Sequence, residues 1–341
     1  MDSGFYAACA GLRAQSQALD IAAQNMANVS TAGFSRQRPV MIAGDPVVLG
    51  RLSFGTGVVM QKLESLRDPI LELRLNQESQ TQGQLDSTLS ALQQIQVTFS
   101  GTDSGIGAAI SKFFDSVQQL STDPTSLSLR QGVLTAAGNL ATSFNTASHN
   151  LQTQHSNLDL NVVQTVGEIN TLTPQIAALN QQITDFENVH QDASVLIDQR
   201  GALIRQLSSL VDVSVIQTEH GITLTTSNGT PLVAQERSFQ LTTQIAAGGV
   251  HKIFAGTVDI TGLLPAGKLG GLLDVRDNRI PALQTSLDQL AAGLATAVNS
   301  AHRSGFDLNG AAGTDLFIPP AAGGAGEPLP LSAYPSPIPH C

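Results

Sequence analysis

The hydrophobic pattern near the start of the chain predicts a helix with one narrow apolar stripe. Its large apolar side chains recur at every seventh position: Phe5, Leu12, Leu19 and Met26. A heptad repeat of this kind is typical of a helix that packs along its length against other helices. The remaining faces carry polar but mostly uncharged residues, which favour lateral packing against other protein. We call these four residues the seam, and we expect it to need a packing partner.

The predicted helix ends in a run of turn residues. Asn28 is followed by Ser30, Thr31 and Gly33, and asparagine and glycine readily adopt the left-handed backbone conformation that terminates helices. Beyond this exit, residues 37–64 contain scattered glycines, prolines and short valine runs. This composition predicts an extended, turn-rich linker with short strand-like pieces.

Helical spacing dominates the next part of the chain. Apolar side chains three and four positions apart predict long helices from about Pro69 to Phe99 and from Ser126 to about Phe186, with a shorter helix between them. We expect Pro174 to kink or break the second long helix, because a straight helix would lose about 3 kcal/mol there.

The apolar stripes of these helices predict a shared core. They run along every predicted helix between Ile70 and Ala301, and we interpret them as the interior of one intramolecular bundle. In the first long helix the stripe is interrupted by Gln77, Gln80 and Gln84. This interruption predicts looser packing in the middle of that helix.

The hydrophobic period changes from helical to alternating at residues 211–262. Val211, Val213 and Val215 are spaced by two, and Asn228-Gly229 is a strong signal for a hairpin turn. The sequence therefore predicts a small antiparallel β module inserted between helices. A last amphipathic helix then returns the chain to the bundle.

Together these patterns predict a mainly α fold, a long-helix bundle or coiled-coil rod with a small inserted antiparallel β module. The segments are a terminal helix with its exit (1–36), an extended linker (37–64), a helical bundle (65–210), a β module (211–265), a return helix and loop (266–317) and a Pro- and Gly-rich tail (318–341). The tail holds seven prolines and a single charge, a composition that cannot build a packed element. We expect the tail and the terminal helix to be disordered in the monomer.

Composition limits the classes of function. Charged residues make up 13% of the chain, against a usual share of about 25%. The net charge of -10 and the pI near 5.0 argue against binding to nucleic acid or to anionic lipid. No run of about eighteen apolar residues predicts a transmembrane helix, and the amino terminus lacks the basic segment and apolar core of a secretory signal.

Catalytic and metal-binding patterns are absent from the sequence. The seven histidines are scattered, the two cysteines Cys9 and Cys341 are not spaced as a metal site or a disulfide framework, and neither HExxH nor CxxC occurs. There is no G-x-S-x-G and no phosphate-binding G-x-x-x-x-G-K-[ST]. We therefore expect no enzymatic activity, no metal and no cofactor. We interpret Asp198, Arg200 and Arg205 as a solvated charged face supported by neighbours one turn away, in preference to a buried cluster.

Several short segments resemble the amino-terminal signature of the flagellar rod, hook and hook-associated proteins. They are Ala10-Gly11-Leu12, Asn25-Met26-Ala27-Asn28 and Ser30-Thr31-Ala32-Gly33-Phe34-Ser35-Arg36-Gln37. The ending Ser35-Arg36-Gln37 is most similar to the hook-associated protein 1 family, and so is Leu196-Ile197-Asp198-Gln199-Arg200. The family usually continues that last motif with Asp, where this chain has Gly201.

The resemblance implies a structural protein of the flagellum. It implies export of the uncleaved chain through the flagellar type III apparatus and secretion to the extracellular flagellum, at the junction between hook and filament. The partners would be further copies of the chain and neighbouring axial proteins, namely the hook and the second junction protein. The family's export chaperone engages the carboxy-terminal region, so chaperone binding is left open for this chain.

The same resemblance implies roles for individual residues. The seam would be buried between neighbouring subunits and would leave disorder only when it packs there. Four residues would shape the exit from the helix: Asn25, Asn28, Thr31 and Gly33. Arg36, and Arg38 with it, would contact the adjacent subunit.

The resemblance stops after Phe317. In the family a β-rich outer region usually follows, and a closing helix pairs with the terminal one, so we expect a truncated chain.

Two alternatives stay open within the flagellum: an axial protein of the distal rod or hook type, and a truncated product that does not assemble. The predicted long helices argue against the mostly β-rich rod and hook proteins. A helical-bundle enzyme is the remaining alternative, and it would need convergent polar residues in a pocket, which the sequence does not offer.

Overall fold

The computed structural model confirms the predicted fold class, since long helices dominate and the strands form small antiparallel sheets. The structure describes residues 2–31, 33–49, 51–99, 105–218, 221–307 and 310–318. Nearly all of the expected Pro- and Gly-rich tail therefore lies outside the described residues.

The chain divides into two compact units. The first comprises Met1–Gln84, Thr165–Gln244 and Lys252–Gly270, and the second Leu85–Gln164, Ile245–His251 and Gly271–Cys341.

The helices are α1 (Asp2–Ala27), α2 (Pro69–Phe99), α3 (Ile106–Thr122), α4 (Leu127–Asn188), α5 (Ser194–Leu210), α6 (Gly267–Asp274) and α7 (Ile280–Arg303). A π-helical turn, Val275–Arg279, joins α6 to α7. The strands are β1 (Gln37–Ala43), β2 (Val47–Leu49), β3 (Leu52–Phe54), β4 (Val58–Ser65), β5 (Ser214–Thr218), β6 (Gly221–Thr225), β7 (Pro231–Ala234), β8 (Arg237–Ser238), β9 (Leu241–Ile245), β10 (His251–Ala255) and β11 (Val258–Asp259).

Helix α4 is continuous through Pro174, so the expected break is not observed. The proline removes one backbone donor and crowds the preceding turn. Ile169 and Ile176, one on each side of it, are fully buried. Burial of such side chains stabilises the continuous helix by about 1.5–3 kcal/mol each, enough to offset the cost of the proline.

The β module of the first unit is antiparallel, as the alternating pattern predicts. Its strands form a four-stranded sheet in the order β5-β6-β7-β8 and a three-stranded sheet in the order β11-β10-β9. Two asparagines of α4 attach it to the helix. Asn170 donates to Leu241 O at 2.7 Å, and Asn180 donates to Ile222 O at 3.0 Å and to Gln235 O at 2.7 Å. These bonds connect backbone carbonyls of the β module to side chains of α4.

Helix α2 corrects the expectation that every apolar stripe belongs to the bundle core. Its leucines point outward, with Leu85 at 61% and Leu89 at 56% exposure, whereas Ala91 and Ile95 are buried. Ile70 and Leu73 are exposed as well. The buried residues of α2 thus include Asn76 and Ala91 as well as the larger Ile95, and periodicity alone does not reveal which face of a helix meets its neighbours.

The expectation of loose packing in the middle of α2 is also wrong. A Cβ placed on Gly83 would lie 2.1 Å from Ser209 O, so the backbones of α2 and α5 approach closely because a side chain is missing there. Three residues earlier, Gln80 Nε2 donates to Val213 O at 2.7 Å. Gln80, one of the glutamines that interrupt the stripe, therefore faces the protein and supplies a polar contact, whereas Gln77 is exposed.

The second unit has its own apolar core. Its buried apolar side chains include Phe113, Leu140, Phe144, Leu151, Leu158, Ala291, Ala295 and Phe317. Phe113 and Phe317 meet edge to face with ring centroids 5.8 Å apart. Asn299 fixes the segment that carries Phe317, because its Oδ1 accepts from the amides of Leu316 and Phe317, both at 2.9 Å, and its Nδ2 donates to Phe317 O at 2.7 Å.

A buried charged cluster joins α4, the start of β10 and the π-helical turn within the second unit. Arg276, 1% exposed, donates to Asp159 Oδ1 at 2.8 Å and to His251 O at 2.9 Å. His251 Nδ1 lies 2.5 Å from the other carboxylate oxygen of Asp159. Burial raises the pKa of Asp159, but hydrogen bonds from His251 outweigh burial, so this pKa lies below the ordinary 3.8. Burial and the charge of Arg276 lower the pKa of His155 below 6.5.

We expect acidification to weaken the second unit. The folded-state pKa of His155 lies below the ordinary 6.5, so at pH values between the two the unfolded chain binds more protons than the folded chain. The free energy of unfolding therefore decreases as the pH falls through this range. The midpoint of thermal unfolding, followed by circular dichroism, should drop between about pH 7 and about pH 5. His155→Gln should reduce this drop, and His149→Gln, which changes an exposed histidine of the same helix, should not. A drop of equal size in His155→Gln would contradict the assignment.

We expect two leucines of α4 to differ sharply when they are truncated. Leu158 is 2% exposed and Leu160 is 63% exposed. Leu158→Ala should reduce the free energy of unfolding by about 2–5 kcal/mol, because it leaves a cavity. Leu160→Ala should change it by no more than about 0.5 kcal/mol. Urea unfolding of both variants provides the measurement, and equal effects would mean that the core of the second unit lies elsewhere.

Candidate assembly surface

The seam of α1 lies exposed in the structure. The exposed fractions are 70% for Phe5, 72% for Leu12, 71% for Leu19 and 77% for Met26. Four large apolar side chains in one line along a helix form a continuous apolar surface, which in soluble proteins marks a site of interaction. The sequence pattern and the structure therefore point to the same face of α1.

The opposite face of α1 is turned toward the protein, and it is made mainly of small residues. Ala14 is 3% exposed and Ile21 is 8% exposed, one heptad apart. This face packs against β1 and β4. Gly57, with a φ of +101°, permits the contact, because a Cβ there would lie 2.8 Å from Ala7 O. Helix α1 therefore uses its alanine face within the first unit and leaves its seam free. The expected disorder of α1 in the monomer stays a prediction.

Residues 37–65 form an antiparallel structure that we call the β ribbon. Strands β1 and β4 pair from Gln37 opposite Ser65 to Ala43 opposite Val58. Strands β2 and β3 continue the ribbon toward its tip. Short strand-like pieces are predicted here from the sequence, but their pairing with one another is not. Two short apolar runs separated by turn residues, Val40-Met41-Ile42 and Val58-Val59-Met60, were the signal available for that pairing.

Asn25 and Asn28, predicted to shape the exit from α1, both bind backbone groups. Asn25 Nδ2 donates to Gln37 O at 2.7 Å, and Gln37 N donates to Asn25 Oδ1 at 2.9 Å. This paired contact joins the end of α1 to the start of the β ribbon. Asn28 Nδ2 donates to Gln24 O at 3.0 Å and Thr31 Oγ1 donates to Asn28 Oδ1 at 3.2 Å, so both residues act within the last turn and the turn after it.

Gly33 lies where the exit approaches α5. Its φ is +86°, and a Cβ there would lie 2.6 Å from Arg205 Nη2 and 3.7 Å from Ala202 Cβ. Only glycine adopts this backbone conformation without strain and leaves room for the guanidinium. Arg36 is exposed, and its carbonyl accepts from Leu66 N at 2.8 Å. Arg36 thus closes the base of the β ribbon with its backbone and directs its side chain to the surface.

The structure adds Arg67 and Asp198 to the residues that hold the exit. Arg67 Nη2 donates to Asp198 Oδ1 at 2.6 Å, and Ser35 N donates to Asp198 Oδ2 at 2.9 Å. The interpretation of Asp198 and Arg200 as part of a solvated charged face was wrong. The two residues are buried, since Asp198 is 8% exposed and Arg200 is 7% exposed. Burial, followed by the charge of Arg67, lowers the pKa of Arg200 to about 10, so Arg200 stays charged near neutral pH, and its Nη1 donates to Asn180 Oδ1 at 2.9 Å.

Neither a metal site nor a membrane span is found in the part of the chain that the structure describes. No three His, Cys, Asp or Glu side chains among those residues are grouped closely enough to hold a metal ion. No described helix is both long enough and apolar enough to cross a membrane.

Two family models match the chain. The helical domain of the flagellar hook-associated protein FlgK matches residues 92–317. The flagella basal body rod protein matches residues 5–34, the stretch that contains α1, the seam and most of the exit. The longer match covers most of the helices and the β module.

Individual proteins agree with the family models. The chain is 29% identical over 321 residues to flagellar hook-associated protein 1 of Escherichia coli (strain K12), which covers 91% of this chain and 59% of that protein. It is 30% identical over 368 residues to flagellar hook-associated protein 1 of Bacillus subtilis (strain 168), with coverages of 95% and 73%. The structure of the flagellar hook junction protein FlgK from Burkholderia pseudomallei superposes with a TM-score of 0.62 at 30% identity, over 72% of this chain and 46% of that one. The chain thus spans about three fifths of the E. coli relative.

We expect Gly33→Ala to loosen the exit. The added methyl group would sit 2.6 Å from the Arg205 guanidinium in a backbone conformation unfavourable for alanine, at a cost of about 1–3 kcal/mol. Amide hydrogen exchange should accelerate at Phe34 and Ser35. Gly11→Ala is the matched control, since nothing lies within 4 Å of a Cβ there, and it should stabilise α1 by up to about 1 kcal/mol. Unchanged exchange in Gly33→Ala would show that the close approach to α5 is unimportant.

Proposed function

This chain belongs to the family of flagellar hook-associated protein 1, and we propose that it is a structural subunit of the junction between the bacterial hook and filament. Its place would be the extracellular flagellum, reached by export through the flagellar type III apparatus. Its partners would be other copies of itself and the axial proteins on either side, the hook and the second junction protein. The family is structural and not enzymatic.

The observation that carries the proposal is the exposed seam. Phe5, Leu12, Leu19 and Met26 are each at least 70% exposed, whereas the opposite face of the same helix is packed. Transfer of such side chains from water into a helix interface releases about 1.5–3 kcal/mol each. The seam therefore supplies a driving force for association that the first unit leaves unused.

In the proposed assembly the seam packs against the α1 helices of neighbouring subunits. A heptad seam suits this arrangement, because side chains seven positions apart stay on one line when helices pack nearly parallel. The low content of charged residues, 13% of the chain, reduces repulsion between laterally packed copies. Arg36, exposed beside the exit, would then contact the adjacent subunit, with Arg38 near it.

A rod-type or hook-type subunit is less well supported. The match to the basal body rod protein is confined to residues 5–34, a stretch that carries the terminal helix. The match over residues 92–317 is specific to the hook-associated helical domain. The terminal helix would therefore provide assembly in general, and the helical domain would provide the identity of the subunit.

We expect Leu12→Asp to abolish incorporation without unfolding the protein. Burying an unpaired carboxylate in the subunit interface costs several kcal/mol, which corresponds to at least about a hundredfold weaker association. The variant should have the wild-type circular dichroism spectrum and appear in the culture medium, yet be absent from flagella. Immunogold electron microscopy with an antibody against residues 211–262 provides the measurement, and label should lie at the hook–filament boundary in the wild type but not in Leu12→Asp.

Gln17→Asp is the matched control for that experiment. Gln17 is an exposed residue of the same helix, and it lies about 140° around the helix from Leu12. It should be incorporated normally, which would show that a new charge on α1 is harmless outside the seam. Normal incorporation of Leu12→Asp would refute the proposed role of the seam.

A further inference from the structure

The chain passes twice between the terminal part of the first unit and its helical part. The first passage is the exit of α1, which includes Ser35, and the second is the segment between β4 and α2, which includes Arg67. Leu66 N donates to Arg36 O at 2.8 Å, so the two passages lie side by side. Helix α1 and the β ribbon are therefore connected to the rest of the first unit at one narrow place.

Both passages converge on a single carboxylate. Asp198 of α5 accepts from the Ser35 amide through Oδ2 at 2.9 Å and from the Arg67 guanidinium through Oδ1 at 2.6 Å. The side chains of Asp198 and Arg67 are only 11% and 17% exposed. Hydrogen bonds between charged groups shielded from water in this way are among the stronger polar contacts in proteins.

Further contacts hold Arg67 in this position. Its Nη1 donates to Ile197 O at 3.3 Å, and its Nε lies 2.9 Å from Glu72 Oε1 in the first turn of α2. A guanidinium has donors on three nitrogens in one plane and can bind these separate groups at once, whereas the donors of an ammonium group all lie on one nitrogen. Arg67 therefore joins the base of the β ribbon, α2 and α5.

A second point of contact lies further along α5. Gly33 lies beside the Arg205 guanidinium and Ala202, and Ala202 follows Asp198 by four residues, which is about 6 Å along a helix. One contact would allow the exit to pivot on α5, whereas two contacts separated along the same helix define a direction. The direction of α1 relative to α5 is thus set by side chains.

The length of α1 makes this direction consequential. Its 26 residues span about 39 Å at 1.5 Å per residue. A tilt of about 10° at the exit would displace the far end by roughly 7 Å, which approaches the separation of about 8–10 Å between the axes of packed helices. A seam with the right residues would then miss the seam of its neighbour.

We propose that Arg67 and Asp198 form a latch that sets the direction of α1 and thereby presents the seam in the geometry that a neighbouring copy of the chain can bind. The two residues act as positioning residues, since neither belongs to the seam. The latch rests on the proposed function only for its last step, the effect on assembly. Its first step, control of the exit, is a property of the single chain.

The test uses the full-length chain with Asp198→Ala. Amide hydrogen exchange in the free protein should accelerate at Ser35, whose amide loses its acceptor, by on the order of tenfold to a hundredfold. Amides of α5 and the β module should keep their protection, which excludes global unfolding. Incorporation at the hook–filament boundary should fall at least about tenfold, although the protein is still secreted.

Two conservative variants weaken the contact between Arg67 and Asp198 without disturbing the fold. Asp198→Asn keeps an acceptor for Ser35 and Arg67→Lys keeps the positive charge, so both should fold and should show intermediate exchange and intermediate incorporation. Asp185→Asn makes the same chemical change at an exposed position of α4 and should behave as the wild type.

The outcomes distinguish the latch from the proposed function. Unchanged exchange at Ser35 in Asp198→Ala and in Arg67→Lys would overturn the latch, whatever the result for assembly. Faster exchange with normal incorporation would also overturn it, because the direction of α1 would then be irrelevant to assembly. Normal incorporation of Leu12→Asp together with faster exchange in Asp198→Ala would refute the proposed function of the seam and leave the joint itself established.

Discussion

The structure depends on how the two faces of α1 are used. The alanine face, with Ala14 and Ile21 buried, packs on the β ribbon, and the seam with its larger side chains is left in water. Small side chains allow a close approach to the ribbon backbone at Gly57, whereas larger ones would hold the helix away. The chain therefore places its weaker apolar face inside and leaves its stronger one exposed to solvent, and exposed apolar patches of this kind are typical of interaction sites.

Helix α2 repeats this distribution on a smaller scale. Asn76 and Ala91 are buried, while Leu85 and Leu89 are exposed, and Gly83 lets the helix approach Ser209 closely. Sequence periodicity located both helices correctly but assigned the leucines of α2 to an internal core. Periodicity measures how apolar residues are distributed around a helix. It contains no information on which face of the helix packs against other parts of the same chain.

The seam, the β module and the mainly α fold could be predicted because each rests on local spacing of residue types. The exit could be predicted only in part. Asn28 and Gly33 indicate a turn by their own conformational preferences. The contact between Arg67 and Asp198, in contrast, joins residues 131 positions apart. Nothing in the pattern around either residue indicates that partner, and the low overall charge favoured a solvated interpretation. Long-range polar contacts of this kind become visible only when the backbone positions are known.

Polar contacts therefore determine geometry in this chain, while apolar contacts supply most of the stability. Asn25, Asn180 and Asn299 each bind backbone groups of a distant segment, and the charges of Asp159 and Asp198 lie inside the two units at the joints between elements. A buried ion pair contributes little net stability, because desolvation offsets much of the attraction, but removing one partner leaves an uncompensated charge. Any other arrangement of the segments that such a pair joins would separate the two charges and is therefore higher in free energy. A protein with few charges that keeps several of them inside gains defined joints there and leaves an outer surface poor in charged groups.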